Sequence, residues 1–160
     1  MNHEGNRHPL EITLSEQLDC SQQLLACLSS ERNALLGRDT QALQNITREK
    51  LDCTRRLDML EEQRDQAVRA LGFRNTIEDI PRCLASLPGA RRLGALWRQL
   101  IENMEACRAA NLANGAILEA NRQQAEMALG ILRGETATPA VYAADGDARA
   151  QFGQRELGKA

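Results

Sequence analysis

Leucines recur at helical spacing from Leu14 onward: Leu14, Leu18, Leu25, Leu28 and Leu35 fall on one face, and Leu24 and Leu36 widen the stripe. Steps of three, four and seven residues keep side chains on one side of a 3.6-residue helix. Thr13 and Ser15 precede the pattern and Gly37 ends it, as a C-terminal glycine often does. The spacing predicts a first helix over roughly residues 12–36.

Only "GRDT" separates that stripe from the next. Asp39 or Thr40 supplies a side-chain oxygen to cap a new N-terminus. Leu43, Ile46, Lys50, Cys53, Leu57, Leu60, Arg64, Ala67 and Leu71 then alternate steps of three and four, a seam of about four heptads that Gly72 closes. A connection this short makes the two helices antiparallel neighbours. Thr76, followed by Ile77, Glu78 and Asp79, reads as a cap with acids in the first turn. It predicts a short helix over 77–87 that Pro88-Gly89 stops. From Ala90 to about Arg133 no proline interrupts a third seam through Trp97, Leu100, Met104, Cys107, Asn111, Asn114, Leu118, Asn121, Ala125, Ala128 and Leu132. At 1.5 Å per residue that helix is roughly 66 Å long and the first about 38 Å, so the third is expected to outrun its partners within the chain. Past Gly134 the periodicity ends.

The expected fold is therefore all-α: an elongated antiparallel helical bundle or coiled coil of three long helices plus one short one. Residues 1–11 are expected as a flexible leader, 12–134 as the helical domain and 135–160 as a flexible tail. Composition agrees, because the apolar content is mainly Leu and Ala with only four Pro, which favours helix over sheet.

Charge narrows the function. Lys plus Arg number 20 and Asp plus Glu 22, giving no electrostatic case for nucleic acid or an anionic membrane. Phe73, Trp97, Tyr142 and Phe152 are the only aromatics, too few for base-stacking surfaces. The opening "MNHEGNRHPLEITLSEQ" has no apolar h-region, and no run approaches the roughly 20 apolar residues of a span. A cytoplasmic protein without membrane insertion is expected.

Cys20, Cys27, Cys53, Cys83 and Cys107 form no CxxC pair, and His3 and His8 both fall in the leader. Reduced cysteines acting as small apolar side chains are expected, with no metal site and no cofactor. Glu61-Glu62 lies beside Arg64 and Asp65 and reads as a solvated helix face rather than a carboxylate dyad. With no nucleophile–base cluster and no phosphate loop, the chain is not expected to be an enzyme.

The seams carry polar residues: Lys50 and Arg64 in the second helix, and Asn111, Asn114 and Asn121 in the third. Two readings stand. A seam Asn fixes register at some cost in stability, or these positions line a groove left open for another chain. Gly115 would let a second backbone come close.

The run "CRAANLANGAILEANRQQAEMALGILRG" followed by "VYAADG" resembles the C-terminal half of the FlgN family of flagellar export chaperones. Asn111, Asn114 and Gly115 match the family's Asn-x-x-Asn-Gly motif, and Tyr142, Asp145 and Gly146 its tyrosine-bearing tail. Glu31, Leu43, Lys50, Leu57, Leu60, Arg64 and Leu71-Gly72 fit its helical hairpin, and the likeness covers roughly residues 12–146. The resemblance implies a cytoplasmic chaperone of type III export that binds the C-terminal region of the hook–filament junction proteins FlgK and FlgL. It also implies delivery to the gate protein FlhA, with Tyr142, Asp145 and Gly146 as the docking element.

Client binding is expected on Asn111, Asn114, Gly115, Ile117, Leu118, Asn121, Ala125, Ala128, Leu129 and Leu132, because the late third helix is apolar on more than one face. The competing expectation is that the 77–87 helix covers that face. From a different class comes a structural coiled-coil scaffold that self-associates through its seams. A chaperone is expected as a monomer or weak dimer, and a scaffold as an assembly.

Overall fold

The computed structural model describes residues 8–134. They form four helices and, among the described residues, no strand: α1 (Pro9–Gly37), α2 (Thr40–Ala70), α3 (Asp79–Ala85) and α4 (Ala90–Leu132). The chain divides into two compact units, Met1–Gln123 and Gln124–Ala160. In the second, the described residues are the last turns of α4 and Arg133–Gly134.

Helix α1 starts three residues before the sequence boundary. Pro9 occupies the first turn, where its missing N–H has no intrahelical partner to lose, and His8 Nδ1 accepts from the Leu10 amide at 3.2 Å. A histidine assigned to the leader is thus the cap, and Leu10 becomes a fully buried core residue. At the other end the left-handed residue is Arg38 (φ 53°), not Gly37. Arg38 and Asp39 donate back to the Leu35 and Ala34 carbonyls at 3.3 and 2.9 Å. Asp39 at once caps α2, its Oδ1 accepting from the Ala42 amide at 3.0 Å, so the two helices are joined by two residues.

Side-chain contacts give the directions. Along α1, Gln17, Cys20 and Glu31 meet Arg64, Cys53 and Lys50 of α2 in descending order, which is antiparallel. Ser21, Leu28 and Leu35 meet Cys107, Asn114 and Asn121 of α4 at a constant offset of 86 residues, which is parallel in heptad register.

Two apolar clusters hold the first unit. One joins Leu10 and Leu14 of α1, Val68 of α2, Ile80, Cys83 and Leu84 of α3, and Leu93, Trp97 and Leu100 of α4. Each buried Leu or Ile there contributes about 1.5–3 kcal/mol. Helix α3 therefore packs where α1 and α4 begin, held by Thr76, whose Oγ1 accepts from the Asp79 amide at 3.2 Å. The second cluster is Cys20, Leu24 and Leu28 of α1 with Leu57, Leu60 and Cys107. All five cysteines are free thiols; Cys20, Cys83 and Cys107 are buried as small apolar side chains.

Arg64 lies between the clusters, 8 % exposed. Its guanidinium donates to Gln17 Oε1 at 2.8 Å and Asn75 Oδ1 at 3.0 Å, and stands 5.2 Å from the centroid of the Trp97 ring. Desolvation pulls its pKa below the ordinary arginine value, against an opposing pull from Glu61 and Asp65. A seam arginine is tolerable here because its fork and its flat face both find partners.

Candidate functional site

Helices α2 and α4 do not close over α1 along the first unit; a groove runs between them. At the end nearest Trp97 it opens as a cavity of about 120 Å³ lined by Arg64, Leu57, Ile101 and Met104. Met104 also lines the next cavity, about 260 Å³, with Leu24, Leu28, Lys50, Thr54, Cys107, Arg108 and Asn111. Lys50 and Asn111 pass into the third, about 370 Å³, which Glu31, Leu35, Leu43, Thr47, Asn114, Gly115 and Leu118 complete. The shared residues make the three cavities one groove, with α1 as floor and α2 and α4 as walls. From Ile101 to Leu118 it follows about 26 Å of helix.

The largest of the three cavities holds a polar cluster. Lys50 Nζ donates to Glu31 Oε1 at 2.6 Å, and Asn114 Nδ2 donates to Glu31 Oε2 at 2.8 Å. The same Nδ2 donates to the Leu28 carbonyl at 2.8 Å. Asn114 Oδ1 is buried and, among the described residues, accepts from nothing. Lysine and glutamate here cancel in charge, so the groove offers an apolar trough with one neutralised ion pair and one unused acceptor. Gly115 stands at its edge, where an added Cβ meets nothing within 4 Å.

The sequence-expected site residues separate into three groups. Asn111, Asn114, Gly115 and Leu118 come together in the groove. Asn121 is half-buried and donates to the Leu35 carbonyl at 3.0 Å, fixing α4 on α1, while Ile117 is half-buried beside the groove. Ala125, Ala128, Leu129 and Leu132 belong to the second unit and are exposed, with Leu129 at 50 % and Leu132 at 83 %. Tyr142, Asp145 and Gly146 lie outside the described residues. Sequence reasoning placed Lys50 among the polar seam positions of a possible open groove, but did not assign Glu31, Leu35, Leu43 and Thr47 to the site. The available signal was Lys50 itself, since a cation on a seam requires an anion at the same height on the neighbouring helix.

Among the described residues no group of three His, Cys, Asp or Glu side chains is placed to hold a metal, and no helix is long and apolar enough to cross a membrane.

The model of the FlgN family, described as FlgN protein, matches residues 6–150. The chain belongs to the FlgN family. Among solved structures it is similar to one from Pseudomonas aeruginosa, a protein assigned as the flagella synthesis protein FlgN. The two are 28% identical with a TM-score of 0.65, over 79% of this chain and 98% of that one. No match was found among the curated proteins. Family membership gives the four-helix arrangement a flagellar context, and the groove joins the two stretches that carried the likeness: Glu31 and Lys50 from the hairpin, Asn114 and Gly115 from α4.

Proposed function

We propose that this FlgN-family protein is a cytoplasmic chaperone of flagellar export. It binds the C-terminal region of the junction proteins FlgK and FlgL, keeps them from assembling, and brings them to FlhA. The observation that carries the reading is the α2–α4 groove, an open helix-length trough in a family tied to flagellar synthesis. A three-helix arrangement with a vacant seam is completed by a fourth helix, the usual way such apolar walls are covered.

Client contact is assigned to Asn111, Asn114, Gly115, Ile117, Leu118 and Asn121 in the first unit, and to Ala125, Ala128, Leu129 and Leu132 in the second. Met127 and Ile131 of the second unit are also exposed, at 62 % and 75 %, and apolar surface of this kind marks interaction sites. Docking onto FlhA is assigned to Tyr142, Asp145 and Gly146, where the tyrosine supplies a rigid ring with a polar tip.

The test is co-purification of the full chain with the C-terminal regions of FlgK and FlgL from the same genome. The expected result is a stoichiometric complex that Leu118→Asp combined with Leu129→Asp abolishes at unchanged helicity. Self-association without client capture would instead establish the coiled-coil scaffold.

A further inference from the structure

Asn114 presents an orphan acceptor in an otherwise satisfied cluster. Both partners of its Nδ2, the Leu28 carbonyl and Glu31 Oε2, are themselves acceptors. The orientation of the carboxamide is therefore fixed, and its Oδ1 cannot exchange places with the nitrogen to find a partner. Lys50 Nζ is directed to Glu31 at 2.6 Å. The residue is 3 % exposed and lines the largest of the three cavities, yet among the described residues its oxygen has no donor. Native proteins leave few such groups unpaired.

We propose that Asn114 Oδ1 accepts a hydrogen bond from an uncharged carboxamide, Asn or Gln, at a seam position of an amphipathic client helix lying between α2 and α4. The inference rests on the chaperone reading and names the feature by which the groove selects and aligns its client. A helix is the occupant because the groove continues for about 26 Å along both walls and its lining repeats at each turn of α4. The chain's own segment after Gly134 is a poor occupant: its one run at three- and four-residue steps, Val141, Ala144, Ala148 and Phe152, is short and half alanine, and three glycines interrupt the segment. The donor is neutral because the Glu31–Lys50 pair is already balanced, and a client Lys or Arg would meet Lys50 at close range. A carboxamide satisfies both halves of the site. Its N–H reaches Asn114 Oδ1, and its C=O accepts from Lys50 Nζ, which keeps two further protons, or from Asn111, which makes no side-chain bond among the described residues and sits on the rim. Paired seam carboxamides set register between helices in the same way.

The experiment measures binding of full-length protein, by calorimetry, to synthetic peptides spanning the C-terminal helices of FlgK and FlgL. Each Asn and Gln is replaced singly by Leu. Leucine is the sharp replacement, because a purely apolar seam gains from it. One replacement is expected to weaken binding about tenfold or more, and Asn114→Leu is expected to reverse the preference, taking the Leu peptide better than the parent. Replacements that all leave affinity within about twofold, or raise it, overturn the inference and leave the chaperone reading standing: Asn114 Oδ1 is then met by water rather than by the client. Parent peptides that do not bind at all overturn the chaperone reading and this inference with it. A dimer seen by sedimentation that the parent peptides do not dissociate shows a second copy in the groove and overturns the inference. Should Asn114→Leu lose helicity, the peptide series against the wild-type chain decides alone.

Discussion

Asn114 of α4 donates to the Leu28 carbonyl of α1 at 2.8 Å, and one heptad later Asn121 donates to the Leu35 carbonyl at 3.0 Å. Two seam carboxamides thus pin a parallel helix pair in register from inside the first unit, at the cost of burying polar groups. They differ in consequence. Asn121→Ala removes one neutral bond from a carbonyl near the end of α1, and is expected to cost about 1 kcal/mol. Asn114→Ala also strips Glu31 of a donor beside Lys50 and is expected to cost about 2–3 kcal/mol. Urea unfolding at constant m-value checks the order, Asn114 above Asn121.

Arg64 makes a sharper case for stability. Arg64→Ala leaves Gln17 and Asn75 without their donor and uncovers the Trp97 face. A loss of about 3 kcal/mol is expected. Arg64→Lys should recover little of it, because an ammonium can neither fork nor stack flat. Thermal unfolding of the two variants tests this.

The thiols give a pH prediction. Burial, with Cys53 and Glu49 alongside, pushes the Cys27 thiol up to about 11 from a usual value near 9; burial alone raises Cys83 and Cys107. A folded pKa above the unfolded one means that the native state holds the proton longer. The stabilising contribution is complete below the unfolded value and declines as pH rises through the folded one. Stability should therefore fall between pH 9 and about 11. Thiol reagents at pH 8 should react far more slowly with the folded chain than with the urea-unfolded one, since the thiolate is the nucleophile. Equal rates would contradict it.

Much of the fold was legible because local chemistry dictated it. The Leu stripe of α1, the seam of α2, Thr76 ahead of α3 and Pro88-Gly89 before α4 each carry their signal in neighbouring residues, and each element stands where that signal put it. The start of α1 was not legible: His8 caps through a ring nitrogen rather than a hydroxyl or carboxylate, so Pro9 and Leu10 fell outside the pattern. The groove was half legible. Asn111, Asn114 and Gly115 stood out on α4, but Glu31 and Lys50 become a pair only when antiparallel packing brings α1 and α2 to one height, a relation of 19 residues in sequence that periodicity does not encode.

The tail assignment gives its own prediction. Tyr142→Ala is expected to leave FlgK and FlgL binding unchanged while weakening capture by the FlhA cytoplasmic domain about tenfold or more, as loss of an aromatic anchor does. Surface capture with immobilised FlhA domain separates the two activities, and unaltered gate binding removes Tyr142 from the docking element.

Light scattering on the purified full chain, alone and after co-expression with the C-terminal regions of FlgK and FlgL, tests the chaperone reading most directly. The account predicts a monomer or weak dimer alone and a stoichiometric heteromeric complex with client. A chain that self-assembles at low micromolar concentration and elutes free of both clients would contradict it.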